Sequence, residues 1–298
     1  MKRERVALAY VLALVGGVAC STTVPGDAAD AGDPDGETTE DRDVRELVMG
    51  GVLDLLLLGR LTSAAFHFYP PTLDNKVSAA ENAGKISETI TTALAGCGSV
   101  SSTANMDAGT LDALTVSFGG GCTLPDSDLT VSGTMTLAVQ KGATTMAVAV
   151  TLTGIVANGV PLDGKATFTT PLGDAFNVDV DLASGARTVT ANEIVFGGDR
   201  VPFSTTGKLG FIINRAASFS LGSLHLPGVS VSSVQYTSRD CYPNGGIMTV
   251  VREHATYTYS LSDTTPSTGM VSVTKSPVAG NLSMYMRKLP AYGRCGGT

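Results

Sequence analysis

Asn177, Asp179 and Asp181 occupy alternate positions of one segment, and they are the chain's most suggestive grouping of oxygen ligands. In an extended strand, residues two apart project from the same face roughly 7 Å from each other. That spacing suits part of a calcium site, or a carboxylate pair for glycoside chemistry. No second acidic cluster joins it in the sequence, so the solvated face of an amphipathic strand is the preferred reading. The histidines, His67, His225 and His254, stand apart from one another. His254 follows Glu253, but the H-E-x-x-H helix of a zinc protease is missing, and no serine sits in a G-x-S-x-G turn. Gly119, Gly120 and Gly121 lack the further glycine and the helix of a phosphate loop. A Ser–His–Asp triad drawn from separate strands stays open, because geometry and not sequence order defines it. The chain has no tryptophan for a sugar-stacking platform, and Tyr257 with Tyr259 on one strand face is more simply core packing. The expectation is a protein with no catalytic residues, no metal and no cofactor.

The first twenty residues carry more information. Lys2, Arg3 and Arg5 precede an apolar run from Val6 to Val18 that is too short to span a bilayer, the pattern of a secretory signal. Its ending, Gly17-Val18-Ala19-Cys20, resembles the lipobox of bacterial lipoproteins, with Gly17 where the family usually has leucine. The resemblance implies cleavage before Cys20 and acylation of that cysteine. Five cysteines in an exported chain would leave one over, and acylating Cys20 leaves an even set: Cys97, Cys122, Cys241 and Cys295. Three pairings are possible. Cys97–Cys122 and Cys241–Cys295 are favoured because each brackets one local region. A zinc site competes, but no two cysteines have C-x-x-C spacing.

Positioning elements follow from composition and periodicity. Residues 20–43 hold eight acidic residues against Arg42 alone, which reads as an extended acidic tether. The formal charge of −7 is therefore concentrated there, and the remainder offers no basic footprint for nucleic acid. Val44 to about Phe66 has apolar residues at three- and four-residue steps, with Asp43 as an N-cap candidate. Its run Val52–Leu58 is interrupted only by Asp54, so the helix should be buried on most sides. A second, weaker helix is expected over Asn75–Leu94.

From Leu111 onward the period becomes two, with turn signals such as Asn158-Gly159 and Ser184-Gly185, the mark of antiparallel strands. Prolines at 125, 161, 202, 243 and 277 mark a weak repeat. Its length would allow four-stranded propeller blades, but evenly spaced strands favour a long meander of about ten to fourteen strands. The expected fold is thus mostly β: a long antiparallel meander, curved or barrel-like, with one or two N-terminal helices. The expected organisation is a signal peptide at 1–19, the tether at 20–43, a helical segment at 44–96 packing on the sheet, and a β domain at 97–298.

On the Cys20 signal, the acidic spacer and the strand Val116-Ser-Phe-Gly-Gly-Gly-Cys122, the chain resembles all-β lipoproteins of Gram-negative bacteria, including those of myxobacteria. The resemblance implies no known activity. Ser21 stands where an aspartate would retain a lipoprotein in the inner membrane of enteric bacteria, which points to the outer membrane. The leading expectation is an outer-membrane-anchored protein with a structural or partner-binding role, its membrane contact made through Cys20 and its protein or glycan partner unspecified. The rivals are a lipid or lipoprotein carrier, with an apolar cavity under the first helix, and, third, an envelope hydrolase.

Overall fold

A computed structural model describes residues 37–66, 76–102, 110–125, 129–141, 145–171, 175–197, 210–237 and 242–289. Cys20, Cys241 and Cys295 lie outside the described residues, as do the signal and most of the acidic segment. The chain from Thr39 onward forms one unit. Two helices come first, α1 (Thr39–Phe66) and α2 (Ala79–Leu94). Eight long strands and shorter ones then follow: β1 (Ser99–Ser102), β2 (Thr110–Thr123), β3 (Thr130–Lys141), β4 (Thr145–Ala157), β5 (Val160–Pro171), β6 (Ala175–Ser184) and β7 (Arg187–Gly197). The series continues with β8 (Gly210–Leu221), β9 (Leu224–Thr237), β10 (Gly245–Val251) and β11 (Ala255–Leu261). A single helical turn, α3 (Thr265–Thr268), leads into β12 (Met270–Pro277) and β13 (Ser283–Lys288).

All thirteen strands pair antiparallel in sequence order, so the described sheet is one unbroken meander. It is open, because β1 and β13 are not paired with each other. The weak repeat is a repeat of hairpins. Strands β2, β4, β6, β8 and β10 begin at Thr110, Thr145, Ala175, Gly210 and Gly245, so each unit holds two strands. The hairpin turns use the expected chemistry: Asn158 and Gly159 both have positive φ (49° and 85°), which matches the right-handed twist of the flanking strands.

Alternation delivers one apolar face. Val116, Met135, Val150, Phe168, Val180, Val189, Phe219, Val231, Val250, Tyr259 and Val273 come from the successive strands β2 to β12 and are all buried in a single core. Phe168 and Phe196 meet edge to face at 6.0 Å between ring centroids. A row of β-bulges crosses the sheet, with register shifts between β2 and β3, β3 and β4, β4 and β5, β6 and β7, and onward to β9 and β10. Bulges strengthen local twist and bend a sheet. At Gly133 the bend brings strands so close that a Cβ would lie 2.3 Å from the carbonyl oxygen of Gly154. With φ at +100° as well, no other residue fits there.

The concave face so produced is filled by α1. Every residue from Leu47 to Thr62 is buried, including Asp54 and Arg60. The helix begins at Thr39, earlier than the expected Val44, so Asp43 is an exposed residue of the first turns and not the cap. The tether expected to run to residue 43 therefore gives way to helix five residues sooner, and Asp41 belongs to the core. The physical reason is that Glu40 and Asp41 sit in the first helical turn, where the dipole favours negative charge, and find cationic partners on the sheet. α2 begins at Ala79 with Ser78 as cap, its side chain accepting from the Glu81 N–H. Among the described residues no helix is long and apolar enough to cross a membrane.

Candidate functional site

Two carboxylates of α1 fasten it to the sheet. Asp41, 2% exposed, accepts both oxygens' worth of bonds from the Lys275 ammonium of β12 at 2.8 Å, and a further bond from the Tyr257 hydroxyl of β11. Asp54, fully buried, accepts a two-pronged bond from the Arg187 guanidinium of β7, at 2.6 and 3.0 Å. Glu40 meets Arg252 at 3.4 Å, and the Arg45 guanidinium donates to the Lys288 carbonyl oxygen at the end of β13. From Asp41 to Asp54 the helix advances about 20 Å, close to the four strand spacings that separate β11 from β7. α1 accordingly lies across the strands and staples distant parts of the meander to one rod.

The glycine pair Gly50-Gly51 makes this approach possible. A Cβ on Gly51 would sit 2.6 Å from the Phe219 ring of β8, and one on Gly50 would meet the Arg187 guanidinium at 2.5 Å. Gly50 lies one turn before Asp54, on the same helix face, and leaves the lane through which Arg187 reaches its carboxylate.

Around Asp41 the chemistry is that of a closed cluster. Burial, followed by the hydrogen bond to the Asp41 carboxylate and its charge, pushes the Tyr257 hydroxyl far above its usual range. Burial raises Tyr259 further still. The Tyr259 hydroxyl has no hydrogen-bond partner among the described residues, an arrangement that costs on the order of 1–3 kcal/mol. Such groups stay protonated at neutral pH and are walled off from solvent, which suits packing and not proton transfer.

The groupings singled out in the sequence are spent elsewhere. Asp179 accepts from the Glu193 N–H at 2.8 Å, capping the bulge where Glu193 takes φ 54°, and Asp181 stands opposite Lys165 across the β5–β6 ladder. Asp163 caps the bulge at Gly154 in the same way. Asp179 and Asp181 thus face the solvent side as strand furniture, and no three metal-ligating side chains converge among the described residues. His67 lies outside the described residues, and His254 sits exposed in the turn before β11. His225 was not linked to any partner by sequence, yet the β8–β9 hairpin sets it against Ser220 across the ladder, with Nδ1 2.7 Å from the serine Oγ. Among the described residues no carboxylate holds the other ring nitrogen, so the pair lacks the third member of a triad. Period-two spacing across a two-residue turn would have exposed this pairing, since Ser220 and His225 flank Leu221–Leu224 symmetrically.

Cys97 and Cys122 form a disulfide, with Cα atoms 5.3 Å apart, tying the loop after α2 to β2. Cys241 and Cys295 lie outside the described residues; among the described ones, the Tyr242 ring lies 3.2 Å from where a Cβ of Gly269 would be, and the Leu289 N–H donates to the Gly269 carbonyl. Comparison with protein-family models, with curated proteins and with solved structures found no match to this chain.

Proposed function

We infer that this protein is a lipid-anchored scaffold of the bacterial outer membrane, with a structural or partner-binding role and no catalytic one. The single observation that supports the reading is that α1 occupies the concave face of the sheet from Leu47 to Thr62. A carrier needs that apolar face for its cargo. To free it, α1 would have to leave, which exposes five fully buried leucines, each contributing about 2–3 kcal/mol of transfer free energy, and breaks both buried ion pairs. Asp163 and Asp179 are engaged in bulge caps, and Asp41 and Tyr257 in the cluster that holds α1 to the sheet. Anchoring rests on the Cys20 signal, with acyl chains contributing about 0.8 kcal/mol for each buried methylene.

Metabolic labelling with a radioactive or clickable palmitate tests the anchor. The proposal expects label on the wild-type chain in the outer-membrane fraction. Cys20→Ser should lose the label and leave that fraction. An unlabelled wild-type chain that fractionates as soluble protein overturns the reading.

A further inference from the structure

The strands of the meander alternate in direction, so the turns after β8, β10 and β12 lie at one end of the sheet. Hydrogen bonds knit these three turns into a single rim. The Arg252 guanidinium donates to the His225 carbonyl at 3.4 Å, and the Val278 N–H donates to the His254 carbonyl at 2.9 Å. Four large apolar residues border the same turns and face solvent: Leu221 (41% exposed), Val251 (73%), Val278 (80%) and Leu282 (63%). They are half of the eight large apolar residues exposed in the described chain, so the rim is a patch and not scatter. Apart from the adjacent Arg252 and Glu253, the turn sequences Leu221-Gly-Ser-Leu-His225, Arg252-Glu-His254 and Val278-Ala-Gly-Asn-Leu282 hold no carboxylate or permanent cation. At the opposite end, the connection from β11 to β12 exposes Ser262, Asp263, Thr264, Ser267 and Thr268 instead.

The start of α1 selects the occupant of this patch. Thr39 and Glu40 are exposed, and the Glu40 carboxylate meets Arg252 at 3.4 Å, so the chain that precedes α1 joins the domain at this rim. Nineteen peptide steps separate Cys20 from Thr39. A chain of that length has a coil span of about 25 Å and never exceeds about 65 Å. The long strands themselves run for about 40 Å. An acyl group on Cys20 therefore holds this end of the sheet, on average, nearer the bilayer than the other.

We propose that this rim rests on the lipid surface to which Cys20 is anchored, with Val251, Val278 and Leu282 set among the headgroups. The proposal rests on the acylation of Cys20 inferred above. Anchoring supplies proximity: a tethered rim meets the bilayer at an effective concentration that a free domain lacks, so a shallow apolar contact suffices. Arg252 is already engaged by Glu40, so the contact is apolar in kind and tolerates salt. The sheet then stands on the membrane by its turns, with the 262–269 connection pointing away from it.

The chain has no tryptophan, so a single introduced one reports only on its own surroundings. The test uses the full chain purified from bacterial envelopes and reconstituted in vesicles of phosphatidylethanolamine and phosphatidylglycerol, with brominated acyl chains as quencher. Val278→Trp probes the rim and Asp263→Trp the opposite end; both sites are exposed, and far-ultraviolet circular dichroism checks the fold. The proposal expects blue-shifted emission from the Val278→Trp chain, quenched about threefold or more above the Asp263→Trp chain, in low and high salt alike. Adding Val251→Asp and Leu282→Asp should bring that quenching down to the level of the Asp263→Trp chain, with flotation on the vesicles retained through Cys20. Equal quenching of the two single variants, while both carry acyl mass and float, overturns the rim contact and leaves the anchor standing. A chain that has no acyl mass on Cys20 and does not float overturns the anchor and the rim contact with it. Blue-shifted emission that the bromines do not quench, with a dimer in sedimentation, assigns the rim to a second copy and overturns the proposal as well.

Discussion

Replacing Asp54 with alanine removes the anion beneath Arg187 and leaves that guanidinium without its carboxylate in the core. Asp54 is fully buried, and the Arg187 side chain is only 21% exposed, so water cannot replace the lost partner well. Breaking a buried pair by deleting one member costs about 3–5 kcal/mol, a large part of a domain's total stability. With a urea dependence of about 3 kcal/mol per molar for a domain of this size, the unfolding midpoint should fall by roughly 1–1.7 M. Far-ultraviolet circular dichroism is the suitable probe, because the chain has no tryptophan. The double variant Asp54→Leu with Arg187→Met exchanges the pair for apolar groups of similar size and should recover to within about 1 kcal/mol of the wild type. A single variant that loses less than about 1 kcal/mol would refute the argument. It would mean that α1 does not hold Asp54 in a closed interior.

Other expectations follow from the same geometry. Replacing Cys97 and Cys122 together by alanine opens a loop spanning 25 residues and should cost about 3 kcal/mol in urea unfolding, with the sheet spectrum retained. Gly51→Leu drives a side chain into the Phe219 ring and should destabilise by more than Gly51→Ala, in thermal melts of both. Tyr257 and Tyr259 have folded-state pKa values raised above about 10, so the stability they protect is fully present below pH 10 and is lost as pH rises beyond it. Urea midpoints should be level up to about pH 9.5 and then fall, with a shallower fall for Tyr257→Phe. Non-reducing peptide mapping should find Cys241 joined to Cys295, since Tyr242 and Leu289 both meet Gly269 and six further residues reach about 20 Å. Recovery of both as free thiols would remove that link.

The meander was legible because each long strand alternates fully, as Val178, Val180 and Leu182 do against Asn177, Asp179 and Asp181. The core helix was legible for a related reason, an apolar face too wide for one-sided packing. Two things were not. Bulges disturb alternation by a single residue, so Asp179 read as one of three equivalent ligands when it caps the turn at Glu193. The clasp was hidden by distance: Asp41 and Lys275 are 234 residues apart, and Asp54 and Arg187 are 133 apart. Sequence showed Asp41 among eight acids of a solvated stretch, and only the partner on β12 distinguishes it from Asp43, which is exposed.

Native mass spectrometry of the full chain, purified from bacterial envelopes and followed by lipid extraction, tests the central claim most directly. The account predicts the polypeptide with covalent acyl mass on Cys20, two disulfides, and no lipid held non-covalently in stoichiometric amount. A tightly retained, near-equimolar lipid released only on unfolding would contradict it, because the face that α1 fills would then be a binding cavity.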